Sequence, residues 1–252
     1  MTENATPVPD TPKPPRRRML ILHGVNGCRT EMQPWREALS DDFDPEVVNL
    51  CGHGGREIPD ALTMPRYAAD LLGQMDALGL ERPVIVAYSF GGVVALYLAA
   101  HHPERVAAVV TVASQWQYDQ EAIRHVTHLL QVSRLTGLAH RREHLTKVHY
   151  PNDWRVLAQR LSAMYSSFEH EPPVTPEVLR GIACPCLVLS GSSDPITSAD
   201  ETVALHRCLP GSEIAMYPGV AHPPDRVPVG GLKRAILQWA GRHLAEAGVS
   251  RG

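Results

Sequence analysis

The sequence predicts an α/β fold: a mainly parallel, doubly wound sheet interrupted by one helical insertion. Three observations carry that prediction. Short apolar runs at residues 19–22, 47–50, 84–86, 107–112, 185–190 and 213–217 alternate with helix-forming stretches through short connections, the order that places helices on both faces of a parallel sheet. Several runs are continuously apolar rather than alternating, as strands buried on both faces are. Between Ser114 and Gly181 the alternation stops, and only amphipathic helical segments occur before strands resume.

With 252 residues and 44% hydrophobic content the chain can bury a large core as one domain with an inserted lid. The net charge of −3 gives no nucleic-acid signature, and no apolar stretch is long enough to span a membrane. Five cysteines at irregular spacing, with Cys184 and Cys186 separated only by Pro185, suggest neither a disulfide framework nor a redox pair. Residues 1–18 are rich in Pro, Thr and charge and end in Arg16-Arg17-Arg18, and the apolar run that follows is too short for an export signal. The expected organisation is a disordered tail at 1–18 on a cytoplasmic protein, an α/β core at 19–114 and 182–246, and a helical insertion at 115–181.

In chain order, residues 19–22 read as a buried strand ending in His23-Gly24-Val25-Asn26-Gly27. Pro34 starts a helix containing Trp35, Ala38 and Leu39, since proline suits the first helical turn. The strand at 47–50 is followed by Cys51-Gly52-His53-Gly54-Gly55-Arg56. Thr63 caps a helix over 65–78, whose apolar residues recur at helical spacing and which Gly79 stops. The next strand runs into Ala87-Tyr88-Ser89-Phe90-Gly91-Gly92 and a helix that reaches Pro103. Segments around 121–135, 139–148 and 153–168 form the insertion. Ser198 and Glu201 give a capping-box pattern after Gly191-Ser192-Ser193-Asp194-Pro195, and the strand at 213–217 precedes Gly219-Val220-Ala221-His222-Pro223-Pro224.

A serine at an abrupt strand-to-helix corner has a chemical use. The corner pushes its Oγ beyond the sheet and aims the first N–H groups of the helix, here that of Phe90, at the oxyanion formed when the serine attacks a carbonyl. Small neighbours let the helix fold back on the strand, and Ala87, Gly91 and Gly92 are small. This string resembles the nucleophile elbow of the capped α/β-hydrolases, usually Gly-x-Ser-x-Gly-Gly, with Ala87 in place of the first glycine. His23-Gly24-Val25-Asn26-Gly27 resembles that family's oxyanion loop, and the 51–56 turn its Pro-Gly-His-Gly-x-Ser turn, in which the histidine is structural.

The resemblance implies Ser89 as nucleophile, Asp194 as acid and His222 as base, in the family's chain order and each just after a strand. It implies the N–H groups of Val25 and Phe90 as oxyanion donors, and the insertion as a cap over the site. Asp119 is the second choice for the acid. The family usually opens with an antiparallel hairpin. A proline-rich start is unsuited to one, so the hairpin is expected to be missing, leaving the strand near 47–50 as a bare edge and a homodimer through it as an expectation.

In the cap, Trp116, Tyr118 and Trp154, with Tyr165 and Phe168, either line a substrate pocket or form the cap's own core. The pairs His125/His128 and His140/His144 have the spacing of metal ligands, but no further ligand completes either set, so no metal is expected. Arg124, Arg134, Arg141, Arg142, Lys147, Arg155 and Arg160 face only Glu143 and Asp153 in that stretch. That excess suits either a solvated face or the reception of an anionic substrate or acyl carrier. The reading is a cofactor-free serine esterase acting on a small-molecule ester, lactone or thioester through an acyl-enzyme. The alternatives are a carbon–carbon bond hydrolase or lyase using the same triad for proton transfer, and a non-catalytic binding protein on the same fold.

Overall fold

The computed structural model describes residues 16–244. Most of the proline-rich tail, and the last two residues assigned to the core, lie outside the described residues. The first strand begins at Arg17, two residues inside the segment expected to be tail.

Six strands form one wholly parallel sheet: β1 Arg17–Leu22, β2 Phe43–Val48, β3 Val84–Tyr88, β4 Ala108–Val112, β5 Cys186–Gly191 and β6 Glu213–Tyr217, in the order β2-β1-β3-β4-β5-β6. Helices α1 Gln33–Leu39, α2 Met64–Ala77 and α3 Phe90–His101 connect the first four strands. Between β4 and β5 lie α4 Gln120–Leu129, α5 Val132–Gly137, α6 Ala139–His149, α7 Trp154–Ser167 and α8 Pro176–Arg180. The chain closes with α9 Ala199–Cys208 and α10 Val229–His243.

The apolar runs are continuous because each strand feeds two cores. On β1, Met19 and Ile21 pack toward α1 and α10, while Leu20 and Leu22 pack toward the α2 and α3 side. Strand β3 splits the same way, with Val84, Val86 and Tyr88 on one face and Ile85 and Ala87 on the other, as the two-residue period of a strand requires. Thr63 caps α2 by accepting a hydrogen bond from the Arg66 N–H.

The second strand departs from the sequence reading. It occupies 43–48 rather than 47–50, because the stretch Asp44-Pro45-Glu46, turn-like by composition, is drawn into register with Arg18, Met19 and Leu20. Proline is tolerated there because β2 is an edge strand. Among the described residues no antiparallel hairpin precedes β1. Pro45 and its acidic neighbours are residues that discourage strand addition, and a single monomer mass by light scattering over a wide concentration range would remove the homodimer expectation.

The strand order fixes where a site can form. From β1 the chain steps outward to β2, then back across β1 to β3. Connections leaving the carboxyl ends of β1 and β3 therefore run to opposite sides and open a crevice between them, the position at which open α/β sheets hold ligands. The 23–27 loop follows β1 and Ser89 follows β3, so both border that crevice.

Candidate active site

Ser89 sits at the corner between β3 and α3 with φ 50° and ψ −122°, a region that L-residues rarely occupy. Its N–H donates to the Val112 carbonyl at 2.8 Å, and its own carbonyl accepts from the Gly92 N–H at 2.9 Å, so the strain is held from both sides. The glycines after it are sterically required. A Cβ on Gly91 would lie 2.5 Å from the His23 carbonyl oxygen, and one on Gly92 would lie 1.9 Å from Ser114 Oγ.

The structure brings together the three side chains taken from separate segments. Ser89 Oγ lies 3.1 Å from His222 Nε2, and His222 Nδ1 lies 2.8 Å from Asp194 Oδ2. The Asp194 side chain is 1% exposed, and its other oxygen accepts from the Ile196 and Thr197 N–H groups at 2.8 and 2.9 Å. Those bonds fix the carboxylate, which in turn holds Nδ1 protonated and leaves Nε2 free to accept from Ser89. Asp119 is elsewhere. It is exposed and caps α4 by accepting from the Ala122 N–H. Tyr88, which the sequence reading did not single out, donates its hydroxyl to the His222 carbonyl at 2.8 Å and so braces the histidine loop.

Val25 and Phe90 border the same cavity as Ser89. Phe90 is the first residue of α3, where helix geometry provides no intrahelical acceptor for its N–H. In the loop after β1 the flanking donors are engaged: the Asn26 N–H bonds to His53 Nε2 at 3.2 Å and the Gly27 N–H to the Gly24 carbonyl at 3.2 Å.

Three buried histidines hold that loop. His23 accepts from the Leu50 N–H at 3.0 Å and donates from Nδ1 to the Gly24 carbonyl at 2.8 Å. His53 accepts from Asn26 and donates from Nδ1 to the Cys51 carbonyl at 2.8 Å. His149, from the end of α6, accepts from the Gly54 N–H at 3.1 Å and donates to the Asn26 carbonyl at 3.4 Å. Each ring needs one donor and one acceptor nitrogen, so each must be neutral.

Burial pushes the His23 pKa down to about 4, and it lowers those of His53 and His149 as well. A histidine whose folded pKa is depressed takes up its proton in the unfolded chain first. Stability is therefore full above pH 6.5 and falls as the pH drops toward 4, by on the order of 3 kcal/mol for His23 alone. Urea unfolding should show a falling midpoint between pH 7.5 and 5, with a smaller fall in His23→Gln. A midpoint that stays constant over that range would remove the inference.

The cavity in front of Ser89 has a volume of about 420 Å³. Tyr118 and Tyr165 line it, as do Val126, Leu129 and Leu135 from the cap. Three of the aromatic residues considered for the pocket do not: Phe168 is buried behind it against Tyr118 and Tyr165, and Trp154 and Trp116 are packed elsewhere. Trp154 is 1% exposed, packed with Leu135, Leu145 and Ala158 inside the cap, and its indole N–H donates to Thr146 Oγ1. Trp116 is also buried, its indole N–H donating to the Glu201 carbonyl at 3.2 Å. Ser198 caps α9, but the Glu201 carboxylate does not complete the capping box. It accepts instead from the Trp116 and Gln117 N–H groups, tying α9 to the start of the cap. Of the histidine pairs, His144 Nε2 lies 3.1 Å from Glu31 Oε1. Among the described residues no group of His, Cys, Asp and Glu is arranged to hold a metal, and no helix is long and apolar enough to cross a membrane.

Comparison with known proteins agrees with this architecture. A family model described as the alpha/beta hydrolase fold matches residues 17–131. A Caulobacter sp. strain K31 protein with the provisional name carbamate hydrolase RutD is 27% identical over 84% of this chain and 85% of its own. The pimeloyl-[acyl-carrier protein] methyl ester esterase of Neisseria meningitidis is 25% identical over 82% of this chain and 72% of its own. Among solved structures, a malate-bound thermophilic esterase from Thermogutta terrifontis superposes with a TM-score of 0.73 at 25% identity, covering 91% of each chain. The parallel sheet, the serine at the strained corner after its third strand and these likenesses lead to one assignment: the chain has the α/β-hydrolase fold.

Proposed function

We propose that the protein is a cofactor-free serine hydrolase of the ester type, cleaving a small-molecule ester, lactone or thioester through an acyl-enzyme on Ser89. The observation that carries this reading is the unbroken hydrogen-bonded relay from Ser89 Oγ through the His222 ring to Asp194 Oδ2, at 3.1 and 2.8 Å. His222 takes the Ser89 proton as Oγ attacks the carbonyl carbon, then delivers it to the departing alkoxide or thiolate. In the second half it takes a proton from water as the water oxygen attacks the acyl carbon, and it returns that proton to Ser89 Oγ as the acyl–Oγ bond breaks and the carboxylic acid leaves. Asp194 keeps the Nδ1 proton in place and stabilises the imidazolium. The Val25 and Phe90 N–H groups receive the charge on the carbonyl oxygen. Relatives that include esterases and an enol-lactonase of Acinetobacter baylyi support the ester and lactone class.

The test is intact and peptide mass spectrometry after incubation with a fluorophosphonate. One adduct per chain, located on Ser89 and lost in Ser89→Ala, is the expected result. An unmodified Ser89 in a folded protein would overturn the acyl-enzyme reading.

A further inference from the structure

We infer that Arg134 and Arg141 form an anion-binding subsite at the cap side of the cavity, selecting ester or thioester substrates that carry a carboxylate or phosphate away from the scissile bond. The inference rests on the hydrolase reading above for its chemistry. Of the cationic side chains carried by the cap, only these two line the cavity that holds Ser89 and His222. Arg134 comes from α5 and Arg141 from α6, so two helices converge on the same space.

Among the described residues neither guanidinium has a hydrogen bond or an ion pair with the protein. Arg124 and Lys147 are likewise unpaired among the described residues but do not reach the cavity, and the other three cations of this stretch are engaged. Arg142 donates to the Thr136 carbonyl, Arg155 pairs with Asp153, and Arg160 pairs with Asp60. Arg141 is also close enough to the catalytic groups for its charge to act on the Tyr88 phenol, the group that braces His222.

The one carboxylate on the cavity wall does not satisfy them. Glu31 Oε1 pairs with His144 Nε2 at 3.1 Å, and Oε2 accepts from the Cys28 N–H at 3.3 Å. The same cavity is lined by a run of apolar side chains from α4, α5 and the residues that end them: Val126, Leu129, Leu130, Leu135 and Leu138. Both arginines are solvent-exposed, so their charge is open to the end of a ligand that reaches out of the apolar part of the cavity. The complementary ligand has a reactive carbonyl, an apolar chain and an anionic end, and a planar guanidinium fork binds carboxylate or phosphate through two N–H donors.

Two sources share this chemistry, and two sets of substrates separate them. The first compares monomethyl esters of five- to eight-carbon dicarboxylic acids with methyl esters of monocarboxylic acids of equal length. The second compares acyl thioesters of 4′-phosphopantetheine with those of pantetheine. The readout is the ratio of kcat/KM, anionic over neutral.

In the Arg134→Gln/Arg141→Gln double variant this ratio should fall roughly ten- to hundredfold in one of the two sets, the size expected for losing charge-assisted hydrogen bonds. The loss should lie mainly in KM, and Arg142→Gln should keep the wild-type ratio. The affected set names the source. A wild-type enzyme with no preference for anionic substrates, or a ratio unchanged in the double variant, overturns the subsite. Calorimetric binding of adipate to the wild type and the double variant is read separately and needs no turnover. Absence of all hydrolysis with adipate binding that depends on the arginines would count against the hydrolase reading alone, whereas hydrolysis without discrimination would count against the subsite alone.

Discussion

Ser89→Ala should lower kcat at least a thousandfold on whatever ester the wild type hydrolyses, with KM little changed. The expectation follows from what the substitution removes and what it leaves. The attacking oxygen goes, and among the described residues no other hydroxyl is hydrogen-bonded to His222 Nε2, since that of Tyr88 is engaged with the His222 carbonyl. The cavity, the cap and the backbone N–H groups of Val25 and Phe90 remain, so substrate still binds and residual catalysis reflects binding and oxyanion stabilisation. Loss of a triad nucleophile costs on the order of a thousand- to a millionfold in kcat. Alanine meets the same backbone restriction at φ 50° as serine does, so the fold and its strain are unchanged and the kinetic effect can be read without correction for unfolding. Circular dichroism and the urea midpoint provide the check. A variant that keeps more than a tenth of wild-type kcat would exclude an acyl-enzyme on this residue.

The parts of this architecture that the sequence states locally were legible. Runs such as residues 84–86 are apolar on both faces because two helical layers cover them. The corner at Ser89 is written in its small neighbours, and Thr63 announces the helix it caps. Each follows from residues within one or two turns of each other. The order in which Ser89, Asp194 and His222 occur was also visible, because each stands in a loop directly after a strand.

What was not legible depends on distant partners. Strand β2 begins at Phe43 because β1 pairs with Asp44-Pro45-Glu46, although those residues by themselves read as a turn. Glu201 fits a capping box locally, yet its carboxylate is taken by the Trp116 and Gln117 N–H groups, 85 and 84 residues away. Trp116 and Trp154 are large and lie in the cap, but their indole N–H groups find acceptors in buried positions, which turns both rings away from the cavity. The histidine brace around the 23–27 loop joins His149 to Gly54 across 95 positions. The only local hint was the resemblance of the His53 turn to one with a structural histidine, and His23 and His149 gave no separate signal.

Asp194→Asn should reduce kcat by about ten thousandfold while leaving the cavity intact, and here the surrounding loop determines the chemistry. In the wild type, Oδ1 accepts two backbone N–H bonds, from Ile196 and Thr197, and Oδ2 accepts from His222 Nδ1. An asparagine in this place must turn its amide oxygen toward the two N–H groups, since its NH2 would clash with them as donor against donor. That choice directs the NH2 at His222 Nδ1. Nδ1 must then accept, the ring proton moves to Nε2, and Nε2 points at Ser89 Oγ as a donor. The histidine is held in the tautomer that cannot remove the serine proton, a fault that costs about 10⁴ in kcat in enzymes with this relay. Fluorophosphonate labelling of Ser89 should slow in parallel, because it depends on the same proton transfer, and KM should change little. Asp119 cannot substitute, as its carboxylate faces the Ala122 N–H at the start of α4. Activity within tenfold of wild type in Asp194→Asn would mean that His222 is not oriented through Asp194, and the proton relay would have to be assigned to another acid.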